Sequence, residues 1–71
     1  MTMRISARNQ LHGTVTDVHR GASIANVELD VGGNRLVASI TVEAADELGL
    51  EEGRAVTAVV KASDVLLAVD D

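Results

Sequence analysis

Two short polar clusters carry the groups in this sequence best suited to chemistry. Ser6-Ala7-Arg8-Asn9-Gln10 offers a hydroxyl, a guanidinium and two amides, and Lys61-Ala62-Ser63 offers an ammonium and a second hydroxyl. None of these groups has to accept a proton to act. They supply hydrogen-bond donors and positive charge, which is what a small oxyanion needs. Arg8 presents a planar fork of donors, Ser6 one more, and Lys61 a compact charge. In an extended segment Ser6 and Arg8 point the same way. Thr41 ends a strand where its hydroxyl could converge on them, and the backbone N–H groups of Ala62 and Ser63 could complete a cage for a doubly charged tetrahedral anion. The same residues also suit plainer roles: Arg8 and Lys61 as surface cations, and Asn9-Gln10 as the residues of a turn.

Catalytic constellations are harder to assemble. The nucleophile candidates are hydroxyls only, because the chain has no cysteine. A Ser-His-Asp set drawn from Ser6, His12 or His19, and Asp17 or Asp64 has neither supporting spacing nor a strained nucleophile turn. His12 and His19 are seven residues apart, which on a regular strand places them on opposite faces, so no site for a bare metal cation is expected. The acidic residues Glu43, Asp46, Glu47, Glu51 and Glu52 lack calcium-loop spacing and read as a solvated face. The protein is not expected to be an enzyme or to need a cofactor.

Composition narrows the classes further. Seventy-one residues allow one domain, spanning 1–71. A domain of this size is marginal alone. The chain has no Phe, Tyr or Trp, yet is 46% hydrophobic. An aliphatic excess in so small a volume suggests burial between subunits. The formal net charge of −5 argues against a nucleic-acid partner, and the missing aromatics remove base-stacking platforms. An anion would have to be held by local donors, since the overall field repels it. No segment reaches membrane-spanning length and no secretory signal precedes Gln10, so neither a membrane partner nor export is expected and the cytoplasm is the expected location.

The elements that must position these groups are mostly strands. Ala25, Val27, Leu29 and Val31 alternate with Asn26, Glu28 and Asp30, and Gly32-Gly33 then supplies the positive φ of a two-residue hairpin turn. Leu36, Ala38 and Ile40 return. An earlier strand covers about 11–19 and turns at Arg20-Gly21-Ala22. Thr41 can cap a two-turn helix over 42–48 that Gly49 stops. Glu51-Glu52-Gly53-Arg54 reads as a turn. Strands over 55–61 and 65–69 follow, joined by Ala62-Ser63-Asp64. Both are apolar on both faces, so one face would fill a core and the other meet a partner chain. The expected fold is all-β with one short helix, a five-stranded OB-type barrel.

At Ser6-Ala7-Arg8-Asn9-Gln10, followed by Leu11-His12-Gly13-Thr14-Val15, the sequence resembles the molbindins, or Mop domains. The later segments keep step: Ile40-Thr41, Glu47-Leu48-Gly49-Leu50-Glu51-Glu52-Gly53, Thr57-Ala58-Val59-Val60-Lys61 and Ser63-Asp64-Val65. The likeness runs from Ile5 to about Val69. It implies an OB-type barrel that binds molybdate and tungstate in the cytoplasm, for molybdenum storage or homeostasis. It further implies hexamers, as trimers of dimers, with oxyanion sites at subunit interfaces. The family's main site falls here on Ser6, Arg8, Thr41 and Lys61. The next residue is Ser in some members and is Ala62 here, so its contact would come from the backbone N–H, with Ser63 as a further candidate. For the family's second type of site, the loop His19-Arg20-Gly21-Ala22 is the candidate, because it combines cations with exposed backbone donors.

The alternative is an oxyanion-sensing or protein-interaction module without a storage role. A chain of this length with no DNA-binding or ATPase segment favours storage. Selection of molybdate over sulfate would rest on size, because the two carry similar charge. Monoprotonated phosphate would meet donors only and leave its own O–H unpaired.

Overall fold

The computed structural model describes residues 5, 6 and 8–70. Met1–Arg4, Asp71 and Ala7 of the first polar cluster lie outside the described residues. The elements run β1 (Asn9–Arg20), β2 (Ile24–Val31), β3 (Asn34–Thr41), α1 (Val42–Glu47) and β4 (Ala55–Val60), followed by a single 3-10 turn at Ala62–Asp64. The strands form one antiparallel sheet in the order β3-β2-β1-β4.

The long first strand organises this sheet by serving two partners in turn. Its first half pairs with β4, from Asn9 opposite Val60 to Thr14 opposite Ala55. Its second half pairs with β2, from Thr14 opposite Asp30 to Arg20 opposite Ala25, with a bulge between Val15 and Asp17. Gly13 stands where the partners change. A Cβ there would lie 2.6 Å from the Asp30 carbonyl oxygen and 2.9 Å from Val31 Cγ2, so only glycine lets β2 approach this closely. The bulge sharpens the local twist and helps the sheet curl on itself.

The β2–β3 hairpin is the one expected from the alternation. Gly32 and Gly33 take φ of 57° and 89°, and Val31 pairs with Asn34 across the turn. The inward residues Val27 and Leu29 join Val15 as the buried centre. Val18, Val31, Leu36, Ile40, Leu50, Val56 and Ala58 pack around them half-buried. Aliphatic side chains alone make this core, as the composition requires.

Helix α1 begins where Thr41 leaves the sheet. Thr41 Oγ1 accepts the Ala44 N–H at 3.0 Å and so caps the helix, with Glu43 in its first turn. Gly49, at φ 62°, ends it. Leu50 N–H reaches the Ala45 carbonyl at 3.0 Å and Gly49 N–H the Asp46 carbonyl at 3.1 Å, the paired bonds of a Schellman stop. That stop turns Leu50 back onto the core and buries Ala45 beneath the helix.

The fifth strand does not form within the chain. The 3-10 turn leads Val65–Asp70 away from β4, and none of the described residues pairs with it. A strand exists only through a neighbour's hydrogen bonds. With no neighbour, the 65–69 segment stays extended and exposed, β3 and β4 remain free edges, and the barrel is open.

Candidate oxyanion-binding site

Two of the expected anion ligands meet at one end of the sheet. Asn9 opposite Val60 is the last register pair between β1 and β4, and Arg8 and Lys61 occupy the next positions outward. Ser6 and Arg8 lie in bends ahead of β1, so bends rather than strand alternation set their directions. All three residues are exposed. Among the described residues neither Arg8 nor Lys61 has a carboxylate partner, whereas Arg20 pairs with Asp46 at 3.0 Å and Arg35 with Glu28.

The 3-10 turn adds backbone donors beside Lys61. Its own hydrogen bonds run from Asp64 N–H to the Lys61 carbonyl at 2.9 Å and from Val65 N–H to the Ala62 carbonyl at 3.3 Å. The N–H groups of Ala62 and Ser63 therefore keep no backbone acceptor among the described residues, as the first amides of a helical turn must. Two cations, two hydroxyls and two free amides thus gather without an intervening carboxylate acceptor closer than Asp64. Such a set can wrap an oxyanion with charge-assisted hydrogen bonds.

Thr41 is not at this end. It pairs with Ile24, which follows the far end of β1, while Arg8 precedes the near end. β1 has 12 residues, roughly 36 Å if straight at about 3.3 Å per residue. One chain therefore splits the expected ligands into a Ser6–Arg8–Lys61 group and a distant Thr41. The Thr41 hydroxyl uses a lone pair in capping α1 and keeps its proton, so it remains a donor.

The loop at residues 19–22 is held mostly by internal partners. Arg20 donates to Asp46 Oδ1, Gly21 N–H to the Ile24 carbonyl at 2.8 Å, and His19 Nε2 lies 2.6 Å from Asp17 Oδ2 and 3.7 Å from Glu28 Oε2. An anion at this loop would have to displace carboxylates. The sequence reading missed the Asp17–His19–Glu28 group, whose ligand-type atoms lie within 4.8 Å of one another. The signal was there in part, because Asp17 faces Glu28 across the β1–β2 register, but the bulge that sets this register is invisible in the alternation. Arg35 also binds Glu28 and supplies the positive charge that a cation would bring. His12, on the other half of β1, is hydrogen bonded to Thr57 at 3.1 Å.

Comparison with known proteins places this architecture in a class. Residues 5–67 match the TOBE domain family. The chain is 46% identical to molybdenum-pterin-binding protein 2 of Clostridium pasteurianum over 66 residues, 92% of this chain and 97% of that one. Its fold is similar to a molybdate-binding protein from Sporomusa ovata, with a TM-score of 0.90 at 39% identity, covering 94% of this chain and all of that one. It also resembles the cytoplasmic molybdate-binding protein ModG in a molybdate-bound form, with a TM-score of 0.81 at 48% identity over 84% of this chain and 43% of that one. These likenesses span the sheet, the helix and the polar clusters together. The chain belongs to the molbindin, or Mop, family of TOBE domains.

Proposed function

We propose that the protein binds molybdate, and tungstate by the same geometry, at sites formed between copies of the chain, and that it does so for intracellular molybdenum storage and homeostasis. The observation that carries this reading is the pair of cations Arg8 and Lys61, set side by side at one sheet end, without ion-pair partners among the described residues and beside the free amides of Ala62 and Ser63. In a chain of net charge −5, two of the other cations are neutralised by carboxylates, while these two are left for a ligand. The names of the relatives supply the identity of the anion.

The site draws Ser6, Arg8, Lys61 and the Ala62 amide from one chain, with Ser63 beside them, and Thr41 from another. The distance between the two groups along the sheet supports this division. It also accords with a hexamer built as a trimer of dimers, in which each interface juxtaposes unlike ends of neighbouring sheets. The site uses donors only, so it needs no cofactor and performs no bond-making step. Selection against sulfate follows from the larger radius of molybdate in a cage of fixed donors. The test is equilibrium dialysis with molybdate, tungstate and sulfate. Saturable uptake of the first two with sulfate far weaker is the expected result. Equal retention of sulfate would refute size selection.

A further inference from the structure

Two features are unused by the anion site. The first is an apolar groove of about 480 Å³ between the free edges of β3 and β4, lined by residues that include Leu29, Leu36, Ile40, Val56, Ala58 and Val60. The second is the segment Val65–Val69 beyond the 3-10 turn. Leu66 and Leu67 are each 93% exposed and Val69 84%. Side chains this bare, next to one another, mark a contact surface. The segment stands off the sheet: the Cα radius of gyration is 13.2 Å, against roughly 11 Å expected for a compact chain of this length.

The two features complement each other. The sheet is a curled four-strand layer with two edges left open, and the segment is an extended apolar run with no layer. Its alternation puts Val65, Leu67 and Val69 on one side and Leu66 and Ala68 on the other. Asp64 and Asp70 bracket it with charges that belong in water. Its five residues span about 17 Å at about 3.4 Å each, close to the length of the six-residue β4. The 3-10 turn and the extended backbone of Val65 (φ −90°, ψ 122°) carry it away from its own groove.

We infer that Val65–Val69 of one copy docks as a strand into the β3–β4 groove of a second copy, and that the exchange is reciprocal. Val65, Leu67 and Val69 fill the groove, and the strand's backbone satisfies the free edge groups. Reciprocal exchange closes on itself as a two-fold dimer, so it does not propagate into fibres. Leu66 is left on the outer face, where a further copy can cover it. The occupant is a second copy because the groove and the segment that matches it in length, polarity and alternation belong to the same chain.

The chain contains no cysteine, so introduced ones report without background. One chain carries Leu67→Cys, another Ala38→Cys in the groove, and the two are mixed unfolded, refolded together and oxidised. A covalent dimer that forms in the mixture and far less in either protein alone is the expected result. A chain carrying both substitutions that oxidises to an internally bridged monomer would overturn the inference, since the segment would then fill its own groove. Sedimentation of Leu67→Asp gives a second readout. Loss of the assembly with the β-sheet circular dichroism retained is expected, and an unchanged size would overturn the exchange. A wild-type protein that cross-links between chains yet retains no molybdate would keep this inference and remove the oxyanion reading.

Discussion

At the scale of single residues, function is a matter of which donors are left unpaired. Arg8→Ala removes a bidentate donor from an exposed position, so it should weaken molybdate binding while leaving the thermal midpoint nearly unchanged. A charged hydrogen bond contributes about 1.5–3 kcal/mol, so the loss should be roughly tenfold to a hundredfold in Kd by titration. Lys61→Ala should act likewise. Full binding by Arg8→Ala would place the site elsewhere. Thr41 carries two roles that substitution can separate. Thr41→Ser keeps both cap and donor, whereas Thr41→Val loses both and should cost about 1 kcal/mol of stability in denaturant unfolding as well as affinity. The Arg8 and Lys61 pair was legible in the sequence because residue type alone announces a donor. The partners of His19, Arg20 and Arg35 were not, because cross-strand ion pairs depend on a register that a bulge shifts by one residue.

At the scale of elements, the sequence spoke most clearly where local chemistry decides the backbone. The Gly32-Gly33 turn, the Thr41 cap and the Gly49 stop are each set by neighbours a few residues away, and all three occur where expected. The strand over 65–69 was misplaced for the opposite reason. Its alternation correctly marks an extended segment, but pairing is a property of the neighbour, and the chain supplies none. Gly13 shows the same limit, since nothing local says that Asp30 will pass within 2.6 Å of a Cβ there. Gly13→Ala should therefore destabilise by about 2 kcal/mol or more, through a clash with backbone that cannot swing aside. Urea unfolding checks this, and a midpoint equal to wild type would mean that β1 and β2 part more easily than their packing implies.

At the scale of the whole molecule, the striking economy of burial points outward. Val15, Val27 and Leu29 form the buried cluster, a small centre for 71 residues, while Leu66, Leu67 and Val69 lie bare. Stability for such a chain has to come from association. Its thermal midpoint should consequently rise with protein concentration, and a midpoint independent of concentration would contradict this. Leu66→Glu, on the outer side of the segment, should reduce the assembly in sedimentation by placing a charge at an interface. The split of the ligands between sheet ends has a further consequence. Arg8→Ala and Thr41→Val chains, each weak alone, should regain binding at a fraction of sites when refolded together, because some interfaces then pair an intact Arg8 with an intact Thr41. A site contained within one chain would regain none.

The most direct test of the central claim is calorimetric titration of the assembled protein with molybdate, with sulfate and phosphate titrated in parallel. The account predicts saturable heat from molybdate, little from either competitor, and loss of the molybdate signal in Lys61→Ala. Absence of molybdate heat, or sulfate binding of equal strength, would contradict it.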